Sequence, residues 1–396
     1  MFAALAEFPP FRRLWLAAVA SSLGQWMQAT ALGWLALDLT NSESFVGLVA
    51  FCAGLPFLLI SVPGGLIIDR FDRRKILIVC QALAAIVSIS IAILVLTGVV
   101  RPWQLPVAAF INGSLQAILN PAQQSIVPSL VPRERLTNAI GLMGAGQNMT
   151  RVVGPTIAGA VVGFVGTGET FLLQALAVAV ALGLLVRASF PSRLSTVSLN
   201  SLAALSEGFR TVMGRGDLRG LLLFACIPTL LVFPYISFLS VFARDILEIG
   251  PQGMGLLMAA SGMGAVVGSL FVASRPGPQS GKQLVIQAVL YGLVILAFSA
   301  SRFLPLSIAL LLVAGFLGAS FMSANNVLIQ HRIDDNIRGR VIGIYMLTWG
   351  LMPLGAMPMG ILGASIGIPS AVAIGAILAV VVIIALYLKS PDLRNL

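Results

Sequence analysis

Long apolar segments recur along the whole chain, and they constrain its fold more than any other feature. Each contains about twenty mostly apolar residues, the length that a helix needs to cross the hydrocarbon core of a bilayer. Apolar residues make up 58% of the 396 residues and charged residues only 10%, whereas about a quarter of the residues are charged in soluble domains. Because a chain of this composition would aggregate in water, we expect an integral membrane protein.

Charged and turn-forming breaks divide the chain into twelve predicted transmembrane helices. Their approximate positions are 14–37, 45–68, 76–98, 104–127, 138–165, 170–190, 219–242, 253–274, 284–301, 305–329, 340–366 and 369–389. We expect an all-α membrane protein with a six-helix bundle over residues 1–190 and a pseudo-symmetric second bundle over residues 219–396. Residues 191–218 would be a cytoplasmic linker. Apolar side chains at helical spacing predict an amphipathic helix there, lying on the membrane surface.

The basic residues predict the orientation of the chain. Twenty of the 24 Lys and Arg residues lie near the N-terminus or in alternate loops, while the opposite loops contain only Arg101, Arg244 and Arg302. By the positive-inside rule, both termini are then cytoplasmic. The net charge of +10 therefore indicates topology and contact with anionic lipid headgroups rather than nucleic acid.

The start and the composition of the chain predict where it resides. No cleavable signal peptide is visible, because Arg12 and Arg13 directly precede a long apolar run, so we expect the first helix to be retained. The strong excess of arginine over lysine is typical of a GC-rich bacterium. Together these features predict a multi-pass protein of the inner (plasma) membrane.

Two weak internal matches indicate that the chain arose by duplication. Residues 121–143 align with residues 323–345, within the segment 323–346, at an offset of 202, and an offset of 208 pairs Gly47 with Gly255 and Gly54 with Gly262. Parallel repeats of six spans occur in secondary transporters, where the substrate site lies between the halves.

Arg151, in the fifth predicted span, is the first candidate for a binding residue. A charge deep in the bilayer costs a few kcal/mol, so we expect Arg151 to face a central cavity beside Gln147 and Asn148. It would anchor an anionic or strongly polar group of a substrate. Alternatively, it is a structural arginine that binds helix carbonyls or extends to the membrane surface.

Other polar side chains within the spans complete the predicted cavity. They are Gln25, Gln28, Asn112, Gln116, Asn120, Asn325 and Asn326. Asn112, Gln116 and Asn120 recur every four residues and therefore share one helix face. Each of these side chains could equally hold neighbouring helices together by hydrogen bonds.

A tight basic turn ends the second span. It contains Gly65, Asp69, Arg70, Arg73 and Arg74, and taken alone it could simply be a charged loop that fixes topology. At this run the sequence resembles the major facilitator superfamily, whose signature in the loop between helices two and three is G-x-x-x-D-R-x-G-R-R. The resemblance implies the major facilitator fold, with Asp69 helping to hold the inner gate.

One departure from this signature narrows the resemblance. Asp72 replaces the second glycine, and an acidic residue at this position is similar to the branch that includes the enterobactin and macrolide exporters.

The fifth span contains a second motif. Gly141, Gly154, Pro155 and Gly159 match the superfamily's exporter signature G-x8-G-x3-G-P-x2-G-G, while Thr150 and Ala158 replace two of its glycines. The resemblance therefore implies export.

Other functional classes fit the sequence poorly. A membrane-embedded enzyme would need His, Asp or Glu clustered at bilayer depth, and the chain has one histidine and no acid deep in any span. A channel would show rings or filter-like repeats. Cys52, Cys80 and Cys226 lack metal-ligand spacing, so we expect packing residues and neither a metal nor another cofactor.

We therefore predict a secondary active transporter that exports a small amphipathic molecule, drug-like or a siderophore, by alternating access. We expect a monomer surrounded by membrane lipids. The resemblance implies proton antiport. Because no acidic relay is visible, a carrier driven by the substrate gradient or by the membrane potential remains open. The alternative function is a lipid or lysophospholipid flippase of the same fold.

Overall fold

The computed structural model shows a bundle of long helices. It describes residues 3–188, 190, 201–275, 277, 279–333 and 335–394; the side chains of residues 3, 61–70, 201–207, 335–336, 338–340 and 392–393 are not described. No β-strand occurs in the described residues.

The long helical segments are numbered α1 to α12 in chain order. They are α1 (Pro9–Thr40), α2 (Glu43–Arg70), α3 (Arg73–Leu96), α4 (Gln104–Leu130), α5 (Arg133–Phe164), α6 (Thr167–Val186), α7 (Gly216–Ile246), α8 (Gly250–Ala273), α9 (Gly281–Ala300), α10 (Leu304–His331), α11 (Asp335–Leu347 and Leu351–Ile366) and α12 (Ile368–Lys389). Each coincides with one of the intervals predicted from the sequence. Short helices are formed by Ala3–Glu7, Ser201–Gly214 and Pro391–Arg394.

Nine of these segments are long and apolar enough within the described residues to cross a membrane. The other three, α1, α4 and α5, contain most of the polar side chains that the sequence assigned to a cavity. The amide groups lower the mean hydropathy of these three segments, and Arg151 lowers that of α5 further. Twelve spans and cytoplasmic termini stay predictions.

Two of the long segments are interrupted. The C-terminal half of α7 changes into a 3-10 turn at Phe233–Phe238, which contains Pro234, and then into a π-helical turn at Phe242–Ile246. One 3-10 turn, Thr348–Gly350, interrupts α11. A proline removes a backbone donor and so breaks the α-helical pattern.

The helix of residues 201–214 lies in the predicted linker. It packs against the Asp335–Leu347 part of α11 and against α7. Within the predicted linker, Ser201–Gly214 are helical, and residues 191–200 lie outside the described residues. The position of this helix on a membrane surface stays a prediction.

The two ends of the bundle are packed differently. The end that contains Ala3 and Arg394 is called the termini side below, and the opposite end the far side. At the far side α5 packs against α8 and α2 against α11. One continuous apolar core joins the far-side halves of the first six helices to the last six, whereas the termini-side halves of the first six helices form a separate core.

Glycines bring the helix backbones together at the far side. A Cβ atom at Gly159 of α5 would lie 2.6 Å from the carbonyl oxygen of Pro251 and 2.8 Å from the Cα atom of Gly255 in α8. Correspondingly, a Cβ atom at Gly47 of α2 would lie 2.8 Å from the carbonyl oxygen of Ala356 in α11. Only glycine allows helix backbones to approach this closely. The contacts of Gly47 and Gly159 therefore close the far side.

The internal repeat reappears in the helix contacts. Gly113 of α4 lies against the Ala53 carbonyl of α2, and Gly315 of α10 lies against the Ser261 carbonyl of α8. Gly315 lies 202 residues after Gly113, and Ser261 lies 208 residues after Ala53. These are the two offsets found in the sequence, so the duplication extends to the packing of individual residues.

Candidate functional site

A cavity of about 220 Å³ lies between the first six and the last six helices. Its walls come from α5, α7, α8, α9, α10 and α11. The side chains and backbone that line it belong to Asn148, Arg151, Phe233, Tyr235, Ile236, Ser261, Ala265, Ser269, Tyr291, Ala314, Gly315, Gly318, Ala319, Met322, Ser323 and Trp349. Small residues of α10 leave the space, and the aromatic rings of α7, α9 and α11 bound it.

Arg151 is the sole charged residue among those that line the cavity. Its guanidinium carbon lies 5.7 Å from the centroid of the Trp26 ring, and the side chain is partly buried. In the described part of the chain no hydrogen bond or ion pair is made by this guanidinium. Arg73 and Arg74 differ, because they donate to the carbonyls of Ser125 (2.9 Å) and Val186 (2.6 Å).

Local packing sets the position of Arg151 and Trp26. A Cβ atom at Gly154, one turn after Arg151, would lie 2.6 Å from the Cβ atom of Trp26. The hydroxyls of Thr150 and Ser22 are hydrogen-bonded at 2.8 Å. Together these contacts hold α1 tightly against α5 and keep the indole ring beside the guanidinium. A cation over an indole face gains roughly 0.5–2 kcal/mol.

An aromatic wall faces Arg151 from the last six helices. The Tyr235 hydroxyl is hydrogen-bonded to the Ser261 hydroxyl at 3.0 Å. Phe233 contacts both Tyr291 and Trp349, with ring centroids 5.3 and 5.8 Å apart. The hydroxyl of the buried Tyr291 has no hydrogen-bond partner within the described residues.

Sequence reasoning did not select Phe233, Tyr235, Ser261 or Tyr291. A usable signal was present, because a tyrosine inside an apolar segment must place its hydroxyl at a polar partner or a cavity. The chain has only four tyrosines, and Tyr235 and Tyr291 lie in such segments.

Two of the predicted cavity residues, Arg151 and Asn148, line the cavity. The neighbouring Gln147 and, on α1, Gln25 are partly buried and do not line it. Gln28 accepts a hydrogen bond from the Gln174 amide at 3.1 Å and so joins α1 to α6.

The predicted amides of α4 and α10 lie outside the cavity lining. Asn112 is buried, and Gln116 and Asn120 are partly buried along the same face of α4. Asn325 is fully buried and donates to the Leu221 carbonyl at 3.0 Å, which joins α10 to α7. Asn326 accepts from Gln330 one turn later, at 2.7 Å. Of these residues, Asn325 makes a hydrogen bond between helices, whereas the bond of Asn326 lies within α10 and the buried Asn112 amide nitrogen has no partner in the described residues.

The basic turn between α2 and α3 is described in part. The side chains of Gly65, Asp69 and Arg70 lie outside the described residues. Asp72 is the N-cap of α3, and its carboxylate accepts hydrogen bonds from the backbone N–H groups of Arg74 (2.8 Å) and Lys75 (3.3 Å). Capping is thus a physical reason for an acidic residue at this position.

The residues of the fifth-helix motif have different surroundings. Gly154 contacts Trp26, and Gly159 contacts α8, as described above. The carbonyl of Pro155 would lie 2.7 Å from a Cβ atom at Gly255. Gly141, in contrast, has no atom within 4 Å of its Cβ position. The middle and end of the motif therefore serve the contact between α5 and its neighbours, and Gly141 does not.

The whole chain matches one family. The sequence profile of the family described as transmembrane secretion effector, a major facilitator family, matches residues 2–395. The chain belongs to this family of transporters. At the family level it is therefore a transporter and not an enzyme, and the resemblance stated from the two motifs is confirmed.

Curated relatives of this transporter are efflux-type proteins of the same superfamily. The staphyloferrin A transporter of Staphylococcus aureus is 24% identical over 385 residues, covering 94% of each chain. The multidrug efflux pump Tap of Mycolicibacterium fortuitum is 26% identical over 406 residues, covering 98% of this chain and 97% of that protein. Macrolide efflux protein A of Streptococcus pyogenes is 22% identical over 360 residues, covering 89% and 87%.

Solved structures show the same fold. A variant of the nucleoside transporter NupG superposes with a TM-score of 0.79 at 15% identity, covering 96% of this transporter and 99% of that chain. A D-xylose–proton symporter superposes with a TM-score of 0.76 at 14% identity, covering 97% and 99%. The major facilitator fold expected from the sequence is confirmed at this level.

Proposed function

We propose that this transporter exports a small amphipathic molecule, drug-like or a siderophore, from the cytoplasm by alternating access. The observation that supports this most directly is the cavity at Arg151, which is lined by helices from both sets of six. Such a cavity can bind a molecule with a polar group and an apolar body. Relatives named as multidrug and macrolide efflux proteins support the direction of transport.

We propose the following arrangement in the membrane. All twelve segments cross the plasma membrane of a bacterium, and both termini are cytoplasmic. Residues 1–190 and 219–396 form the two moving bundles, and residues 191–218 connect them. Since the far side is closed by the contacts of Gly47 and Gly159, the structure would correspond to the state that binds substrate from the cytoplasm.

Proton antiport remains a proposal that rests on the family. No Asp or Glu lies among the residues that line the cavity, so a proton would have to bind elsewhere. We also propose that the functional unit is a monomer and that Asp69 stabilises the gate at the termini side. None of the relatives named above has a lipid in its name, and no observation favours the flippase alternative.

Accumulation in bacteria that lack their own efflux pumps tests the proposal. Cells expressing the parent chain are compared with cells expressing Arg151→Ala or Asp69→Asn, using a panel of dyes, siderophores and lysolipids. Arg101→Gln serves as a control, since Arg101 is exposed in the loop between α3 and α4. We expect lower accumulation with the parent and with the control, and loss of that effect in both variants at equal membrane levels.

The panel also separates the two candidate functions. Accumulation equal to that of empty cells for every dye and siderophore would contradict the proposed export. Movement of lysolipids alone would favour the flippase.

A further inference from the structure

We infer that the cavity binds an amphipathic organic anion, with the anionic group at Arg151 and the apolar body against the aromatic wall. This inference rests on the proposed function and narrows its substrate class. It excludes cations as preferred substrates, although the proposed function alone would accept them.

Charge is the first observation that supports the inference. The lining contains one cation and no acid, and a guanidinium stays protonated in any protein environment. Within the described residues the guanidinium makes a cation–π contact with Trp26 and no ion pair, and a cation–π contact supplies less than an ion pair would. A partly buried arginine within a transmembrane helix and without an acid beside it is costly. A bound anion is therefore the natural counter-charge of this site.

Hydrogen-bond capacity is the second observation. The guanidinium has five N–H donors in a planar fork that matches carboxylate, sulfonate or phosphate oxygens. None of these donors has a partner in the described part of the chain. Asn148 and Tyr291 line the same cavity, and the Tyr291 hydroxyl makes no hydrogen bond within the described residues. The site offers several unused donors to one ligand.

The shape of the remaining lining indicates the rest of the ligand. Rings of Phe233, Tyr291 and Trp349 are in contact along one wall. Gly318 of α10 packs against this wall, since its Cβ position lies 3.3 Å from the Tyr291 ring and 3.5 Å from the Phe233 ring. Flat apolar surfaces of this kind pack against an aromatic or aliphatic body. Since about 220 Å³ is open in this state, the body would be of the size of one or two fused rings.

The inference is tested with three probes of one shape. Naphthalene-1-sulfonate carries a permanent negative charge, naphthalene-1-sulfonamide is neutral, and 1-naphthylmethylammonium is positive. Binding to the purified full chain in detergent is measured by calorimetry and by tryptophan fluorescence; two of the five tryptophans are Trp349, which lines the cavity, and Trp26, which lies beside Arg151. The variants are Arg151→Gln, Arg151→Lys and the control Arg101→Gln.

We expect the parent and Arg101→Gln to bind the sulfonate roughly tenfold to a hundredfold more tightly than the sulfonamide, as for a hydrogen-bonded charge pair. The ammonium probe should bind least. Arg151→Gln should reduce the preference to about one, and Arg151→Lys should keep part of it because lysine retains the charge but not the fork. Equal binding of the three probes, binding of none, or a preference that survives Arg151→Gln would overturn the inference.

The two proposals fail in different ways. Efflux of a neutral or cationic dye by the parent, together with no preference for the sulfonate, would leave export standing and overturn the anion site. Absence of efflux for every compound, together with tight sulfonate binding that depends on Arg151, would contradict the proposed export and support the anion site.

Discussion

Asp72 shows how a single side chain departs from a family pattern for a local physical reason. Its carboxylate caps two N–H groups at the start of α3, where the family signature has glycine. An N-cap that is replaced by alanine costs about 1 kcal/mol, whereas asparagine caps equally well and glycine loses only a few tenths. The residue therefore stabilises the turn whether or not it also serves the gate.

We expect Asp72→Ala to destabilise the purified protein by about 1 kcal/mol, while Asp72→Asn stays close to the parent. Thermal unfolding in one detergent measures both. If asparagine destabilised as much as alanine, the charge rather than the cap would be the important property.

The cavity residues show where prediction from sequence ends at this scale. Arg151 was found because a charge in an apolar segment needs a reason, and Asn148 followed from its position. Gln28 and Asn325 carry the same kind of sequence signal, yet they bind Gln174 and Leu221. The sequence signal of an amide side chain within a span is the same whether the amide hydrogen-bonds to a neighbouring helix or faces a cavity. The position of the neighbouring helix determines which of the two occurs, and the local sequence does not contain it.

At the scale of helices, glycine placement decides how closely α5 and α8 pack. Gly159 has the backbone of α8 within 3 Å of its Cβ position, and Gly141, on the same helix, has open space. The two positions therefore form a matched pair within one motif.

We expect Gly159→Ala to destabilise the protein by roughly 1–3 kcal/mol, because the new methyl group overpacks the contact. Gly141→Ala should instead stabilise by up to about 1 kcal/mol, since alanine is the better helix former and meets no neighbour. Thermal unfolding gives the sign of each change. Destabilisation by Gly141→Ala would show that this glycine serves a second state of the transporter.

Helix positions were largely predictable, and their interruptions were not. Long apolar segments between charged loops gave all of α1 to α12 within a few residues. The π-helical turn at Phe242–Ile246 could not be predicted, because no residue pattern in the preceding segment distinguishes it from an ordinary α-helical turn. Arg244 within this turn donates to the Leu37 carbonyl of α1, a tertiary contact that the local sequence does not reveal.

At the scale of the whole molecule, Arg244 joins the two sets of helices at the far side. Its guanidinium donates to the Leu37 carbonyl at 3.0 Å and to the Asn41 side chain, both at the end of α1, and it pairs with Asp245 beside it. Arg302 is a matched control, since its hydrogen bonds go to nearby carbonyls, those of Ser299 at the end of α9 and of Ser301 next to it.

We expect Arg244→Gln to shift the population toward states that are open at the far side, and Arg302→Gln to leave it unchanged. Charge-assisted hydrogen bonds contribute roughly 1.5–3 kcal/mol, which corresponds to a shift of about tenfold or more. Spin labels on Val99→Cys and Phe303→Cys, both exposed at the far side, would report a longer distance in a cysteine-free background. The same distances in both variants would contradict a closing role for Arg244.

The sign of the cavity charge also has a consequence for the energy source. If an empty site of charge +1 returns toward the cytoplasm and a site neutralised by a monoanion moves outward, each cycle exports one negative charge. A membrane potential that is negative inside drives the return of the charged empty site, at about 2.3 kcal/mol per charge for 100 mV, whereas the neutralised site moves outward without net charge. That energy sustains a gradient of roughly fifty-fold without any proton.

Proteoliposomes with a potassium diffusion potential measure this directly. We expect naphthalene-1-sulfonate to accumulate in the positive compartment toward a roughly fifty-fold ratio at 100 mV, and the effect to disappear with Arg151→Gln. Because this ratio is an equilibrium value, it does not depend on how the protein is oriented in the vesicles. At constant potential, a pH difference of one unit should leave the ratio unchanged, whereas exchange for one proton would alter it about tenfold. A tenfold response would establish proton antiport and place the proton-binding group outside the residues that line the cavity.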